Sequence, residues 1–244
     1  MAIEPILWTF GALAVLAGAI AAVSGFGIGS VLTPFLMLSM PPSHAVAVVA
    51  IPHIWATALR LFHLRGDIHW RTIRQFGVAS AVGGLAGAAL QPVLGSAGLT
   101  IALATLLVLA GSAELLRRPL PVPHSPPWRI AEGFVSGVFG GLVGNQGGLR
   151  SAALLGFDLE PRVLVATATA TAMLVDLARF PVYLVSGSGV MTANVPTWVV
   201  GIVGVTLGTY LGVPILGRIP RPLYRRLLGG LLVVLGIGLI VSVR

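Results

Sequence analysis

Cysteine and lysine are both absent from this 244-residue chain, and charge of either sign is scarce. Without cysteine there is no disulfide, no thiol chemistry and no thiolate metal site, and the redox compartment cannot be read. Only 9% of residues are charged against 56% hydrophobic, with a mean hydropathy of +0.98. Soluble domains carry about 25% charged residues, so this composition cannot cover a water-facing surface. Acids are scarcest, seven in all, and Asp176 alone lies well inside an apolar segment. Paired carboxylates for hydrolysis or a di-metal site are therefore missing. The histidines, at 44, 53, 63, 69 and 124, lack metal-ligand spacing such as H-E-x-x-H. No enzyme is expected, and no cofactor or metal is called for.

What is abundant is apolar sequence in runs long enough for the ~30 Å hydrocarbon layer, which takes about 20 helical residues. The segments are approximately 6–40, 43–63, 73–95, 98–116, 131–157, 163–185, 194–217 and 222–243. The chain reads as an all-α, multi-pass integral membrane protein. Glu4 stands where a basic n-region would begin a cleavable signal peptide, so none is expected. A net charge of +8 would suggest nucleic acid in a soluble chain. Here the arginines sit in short loops between apolar segments, as membrane orientation produces, so no nucleic-acid partner is expected.

Two glycine-rich stretches interrupt long apolar runs: Ser24-Gly25-Phe26-Gly27-Ile28-Gly29-Ser30 and Gly144-Asn145-Gln146-Gly147-Gly148-Leu149-Arg150. In hydrocarbon a backbone must satisfy its own polar groups, so clustered glycines point to a helix that stops and restarts inside protein. The restart frees N–H groups and a partial positive charge, a site for an anion. Neither stretch ends in Gly-Lys-Ser/Thr or joins a strand to a helix, so neither is a P-loop.

The segment from Arg117 to Arg129 holds five prolines and divides the chain into two similar halves. Gly27 and Gly147 align at an offset of 120, Arg60 and Arg179 at 119, and Pro92 and Pro214 at 122. The expected domains are a first repeat at 1–116, a Pro-rich cytoplasmic linker at 117–130 and a second repeat at 131–244. Eight plain spans would put the arginine clusters at 65–74 and 218–226 on opposite sides, against the positive-inside rule. The conflict disappears if 6–40 and 131–157 are re-entrant hairpins, the first with short arms. Each half then has one broken hairpin plus three transmembrane helices, and the odd count makes the halves inverted repeats. Small residues at four-residue spacing, Gly83 and Gly87, then Gly204, Gly208 and Gly212, suit close helix packing.

Arg150 lies within a turn of the second glycine break, where charge, dipole and the amides of Asn145 and Gln146 coincide. The alternative pairs it with Asp158 or Asp176. Gly147, Gly148 and Leu149, with Gly27, Ile28, Gly29 and Ser30, supply backbone N–H groups. Arg179 lies about 24 Å along its helix, with Asp176 and Thr169 on the same face, and Thr169 is expected to help Asn145 and Gln146 orient the anion. Asp176–Arg179 is either a packing lock or part of the transport path, with Asp176 carrying a coupled proton. His53 after Pro52 is a second proton-coupling candidate, set against an ordinary hydrogen-bonding role. Thr57 takes the position of Asp176 in the first half. Arg60 sits near the loop, where snorkelling to the interface competes with a place at one end of the anion's route.

The sequence resembles the TauE/SafE, or sulfite exporter, family of membrane anion transporters. The resemblance rests on Ser24-Gly25-Phe26-Gly27-Ile28-Gly29 with Pro34 downstream, on Gly144 to Ala152, on Val175-Asp176-Leu177-Ala178-Arg179, and on the two-half layout. It implies a secondary transporter of sulfite, sulfonates or related organosulfur anions, mostly outward across a bacterial inner membrane. Ile28 and Gln146 depart from the family's usual glycines, which bears on substrate identity more than on fold. A passive anion channel and a non-transporting membrane subunit are the alternatives. The partners expected are a small anionic substrate and the lipid bilayer, with a homodimer left open.

Overall fold

A computed structural model describes residues 3–116, 126–216 and 220–242, and among these every regular element is helical. Helix α1 (Ile3–Ser24) stops at a glycine-rich break, and α2 (Ile28–Leu36) restarts after it. Pro42 occupies the first turn of α3 (Pro42–Leu64), where its missing N–H costs nothing. The next helical stretch, Trp70–Leu116, has 47 residues and would be about 70 Å long if straight, over twice the bilayer core. Gly95 at φ 63° and ψ 179° divides it, giving α4 (70–94, with a π-helical turn at Ile73–Gly77) and α5 (96–116). The second half runs α6 (Pro126–Val143), α7 (Gly147–Leu155), α8 (Pro161–Ala193, interrupted at Gly187), α9 (Val195–Leu216) and α10 (Arg221–Ser242). The stretches Pro5–Ser24, Pro42–Asp67, Trp70–Leu116 and Pro161–Ala193 are long and apolar enough to cross a membrane.

Two expectations need adjusting. Helix α6 begins at Pro126, inside the linker expected at 117–130, because proline opens a helix as readily as it breaks one. Residues 117–125 lie outside the described residues. The first hairpin's arms are not both short: α1 has 22 residues and α2 nine. The return arm is short because Ser39 and Met40 already turn the chain toward Pro41 and α3.

Neighbouring side chains fix the direction of each helix. Phe35 lies 6.2 Å from Phe10 while Gly27 abuts Ile20, so α2 folds back along α1. Arg129 stacks 4.4 Å over Phe157 while Gly140 abuts Gln146, so α7 folds back along α6. Helices α3 and α8 cross antiparallel in the middle, with Ala47 beside Gly187 and His53 on Asp176. Each hairpin's long arm packs in parallel on a helix of the other half. Gly11 and Gly18 of α1 meet Val200 and Val205 of α9, and Gly133, Gly137 and Gly141 of α6 meet Phe76, Ser80 and Gly84 of α4. In these seams a side chain would strike the facing backbone, so small residues let the helices close. Gly83, Gly87, Gly204 and Gly208 all lie in these two seams. Helices α5 and α10 pair antiparallel, Gly111 beside Gly229 and Gly236 beside Val108.

The ends of α3, α5, α7 and α9 thus gather at one face with the starts of α4, α6, α8 and α10. That face holds the pairs Arg162–Asp67 at 2.8 Å and Arg225–Glu114 at 2.6 Å. The glycine breaks lie level with His53, eleven residues into the 23-residue α3, halfway across the bundle.

Candidate functional site

Helices α2 and α7 each begin at a glycine-enforced turn. Gly27 has φ 132° and Gly144 φ 69°, backbone that a residue with a Cβ rarely adopts. The two turns touch: Ser30 Oγ donates to Asn145 Oδ1 at 3.2 Å. A Cβ on Gly29 would strike the Gly144 carbonyl, and one on Gly147 would strike the Phe26 Cβ. Neither helix has a side-chain cap. The first ladder bonds run from Val31 N–H to Gly27 O and from Arg150 N–H to Gln146 O. The N–H groups of Ile28–Ser30 and Gly147–Leu149 precede those ladders, so two positive helix ends face one point.

Arg150 stands at that point, 3% exposed. Its Nη2 donates to the Gly25 carbonyl at 3.2 Å, and its Nε has no partner. Neither Asp158 nor Asp176 pairs with it; among the described residues no carboxylate lies within ion-pairing distance. The small space between the breaks, lined by Phe26, Gly27, His53, Asn145, Arg150 and Arg179, has a volume of about 10 Å³. That is room for about one water, so the site is closed in this conformation.

Arg179 is differently placed. Its Nε and Nη2 both donate to Asp176 Oδ1, at 3.0 and 2.7 Å, its Nη1 donates to the Gly140 carbonyl, and its plane lies over Tyr183. Asp176 Oδ2 meets His53 Nδ1 at 2.7 Å. Tyr183 in turn donates to the Gly141 carbonyl. One fully buried carboxylate thus joins α3 to α8, and Arg179 and Tyr183 join α8 to the end of α6. The two proton-coupling candidates, His53 and Asp176, are in direct contact. Two of the arginine's three nitrogens are taken by the carboxylate and the third by backbone, the geometry of the packing alternative, while Arg179 also lines the space between the breaks, as the transport alternative requires.

Arg60 does not snorkel. It is 7% exposed, its Nη2 reaches Thr57 Oγ1 at 3.4 Å, and its Nε and Nη1 are covered without partners. The connection after α3 is tied to α8: the His69 N–H donates to Thr167 Oγ1, and Ile73 is buried. Thr169 is buried but donates to its own helix at Val165 O, 2.8 Å, and does not line the space between the breaks. Gln146 Oε1 accepts from Ser136 Oγ at 3.4 Å; Gly148 abuts Ala110 of α5, and Leu149 packs on the apolar core. Three residues were missed. Thr33 has a buried, unpartnered hydroxyl near Gly144 and sits one turn beyond Gly29; Tyr183 sits one turn beyond Arg179. That spacing was the available signal for both. Phe26, between the glycines, gave no such signal.

Cavities of about 250 Å³ lie on either side of the breaks. One, at the face where α4 ends, is lined by Ser43, His44, Gln91, Ser96, Tyr183 and Gly187. The other, at the arginine-rich face, is lined by Ala22, Leu59, Arg60, His63, Thr209 and Tyr210.

A family model described as "Sulfite exporter TauE/SafE" matches residues 10–239. Comparison with curated proteins and with solved structures gives no match.

Proposed function

The chain belongs to the TauE/SafE sulfite exporter family, and from that premise we propose that it exports a small sulfur oxyanion or organosulfonate, bound between the two helix breaks. Family membership and the apolar helices make it a multi-pass membrane transporter of the anion-exporter type, and not an enzyme.

One observation carries the choice of site. A buried guanidinium without a carboxylate partner stands where two uncapped helix N-termini converge. An uncompensated buried charge costs several kcal/mol, which a bound anion offsets while the freed N–H groups complete its hydrogen bonding. Arg150 is the charge partner, the backbone at Gly27–Ser30 and Gly147–Leu149 the cradle, and Asn145 and Gln146 the flanking amides. His53 and Asp176, on the same space, form the proton-coupling candidate.

Orientation follows from charge. The arginine-rich face is cytoplasmic, and the membrane is the bacterial inner membrane. The halves form an inverted repeat, supported by element order and helix direction: the first hairpin opens away from the arginine-rich face and the second toward it. Two cavities separated by a space for one water support a gated carrier over an open pore.

The test is uptake of sulfite and of methanesulfonate into proteoliposomes by wild type and Arg150→Gln. The variant should lose binding and transport while keeping a monodisperse folded profile, since glutamine relieves a buried charge. Unchanged affinity removes the site.

A further inference from the structure

Arg60 is a buried charge that the principal site leaves unused. It lies beside a cavity separate from the space between the breaks, and two of its nitrogens have no partner among the described residues. We propose that Arg60 and this cavity form a second anion site, at which the substrate is loaded from the arginine-rich face before it reaches the breaks. The inference builds on the placement of the principal site and of the cytoplasmic face.

The cavity lies on the way in. Along α3 it runs from Leu64 and His63, near the helix end, inward to Arg60 and Leu59. On α1 it reaches Ala22, two residues before that helix stops at the first break. Its inner end is therefore next to the principal site, and Arg60 is the charge at that end. Among the described residues Thr57 makes the one side-chain hydrogen bond to this guanidinium, at 3.4 Å, and Nε and Nη1 are covered and unpartnered, so a turn of the guanidinium toward the cavity presents them to a ligand. A guanidinium this buried is stabilised by a bound anion.

The lining also selects. Leu59, Leu64, Val165 and Ala22 make the walls apolar, with Thr209 and Tyr210 the polar groups from α9. Thr209 spends its proton on the Val205 carbonyl at 2.7 Å. An anionic head on Arg60 with a short apolar substituent along those walls fills the cavity better than a bare oxyanion. An anionic lipid headgroup shares that chemistry, and the experiment separates the two.

KM is measured from each face in phosphatidylcholine vesicles sorted by orientation, for sulfite and for methane-, ethane- and propanesulfonate. Arg60→Gln should raise KM at the arginine-rich face about tenfold. At the other face KM should stay within about twofold while Vmax falls, since no substitution changes the overall equilibrium. In wild type, KM at the arginine-rich face should fall from methane- to propanesulfonate, and Arg60→Gln should flatten that trend. Thr209→Phe, which narrows the cavity without touching Arg60, should also raise KM there. KM values at the arginine-rich face unchanged from wild type in both variants would overturn the proposal. So would an effect seen only when phosphatidylglycerol is present, which assigns the guanidinium to lipid. The two sites fail separately: an unchanged Arg60→Gln with a dead Arg150→Gln removes the second site alone, and the reverse pattern removes the principal one.

Discussion

In the proposed inverted repeat helices α3 and α8 hold corresponding places; each carries a buried arginine, yet the two arginines are partnered in opposite ways. On α8 the residue one turn before Arg179 is Asp176, and the pair is closed at 2.7 Å with His53 and Gly140 as further partners. On α3 the residue one turn before Arg60 is Thr57, a weak neutral partner at 3.4 Å. A closed pair with further hydrogen bonds binds helices together and leaves little charge over. An open guanidinium holds little in the fold, and the proposal gives it an anion from outside as its partner. On the proposed reading the Asp176–Arg179 pair is a lock beside the breaks, and Arg60, toward the arginine-rich face, is a lure. Arg150, which shares the space between the breaks with Arg179, has no carboxylate partner among the described residues and on the same reading belongs with Arg60.

The largest effect should come from opening the lock. Asp176→Ala leaves Arg179 buried without its carboxylate and His53 without its partner, a loss of about 3–5 kcal/mol. Thermal unfolding in detergent should show a strongly lowered transition or an aggregated protein. A near-native transition would mean the pair is not structural.

Next comes separation of the two breaks. Gly29→Ala sets a methyl against the Gly144 carbonyl, and overpacking of this kind costs about 1–3 kcal/mol. The variant should fold less stably and transport poorly, whereas Gly189→Ala, with open space around it, should match wild type in both measurements.

A finer test makes the halves alike. Thr57→Asp gives Arg60 the carboxylate that Arg179 already has. Transport should fall through a higher KM at the arginine-rich face, while thermal stability changes by less than about 1 kcal/mol, since new pairing and new desolvation oppose each other. The smallest effect belongs to Arg162→Ala. That arginine is 72% exposed in its pair with Asp67, and such surface bridges are worth about 0–1 kcal/mol, lost further in high salt.

Much of this was legible in the chain. The glycine clusters marked both breaks because few other residues take φ values of 132° or 69°. The three-residue step from Asp176 to Arg179 gave their pairing, which is local to one helix. Contacts between distant segments were not legible. His53 and Asp176 are 123 residues apart, and nothing in either neighbourhood marks the crossing of α3 and α8. Arg60 was misread for the same reason, since how deeply its guanidinium is buried depends on helices distant from it in sequence. Thr169 misled because a shared helical face does not say which neighbour that face meets, and a threonine hydroxyl often bonds its own helix.

The most direct test places the anion itself. Crystals or grids of the purified protein soaked with selenite, a heavier analogue of sulfite, would locate the ion by its selenium. The selenium should lie between Gly27–Ser30 and Gly147–Arg150, with an oxygen within about 4 Å of the Arg150 guanidinium, and should vanish in Arg150→Gln. Selenium found elsewhere in the bundle, with the two breaks still closed on each other, would contradict the account.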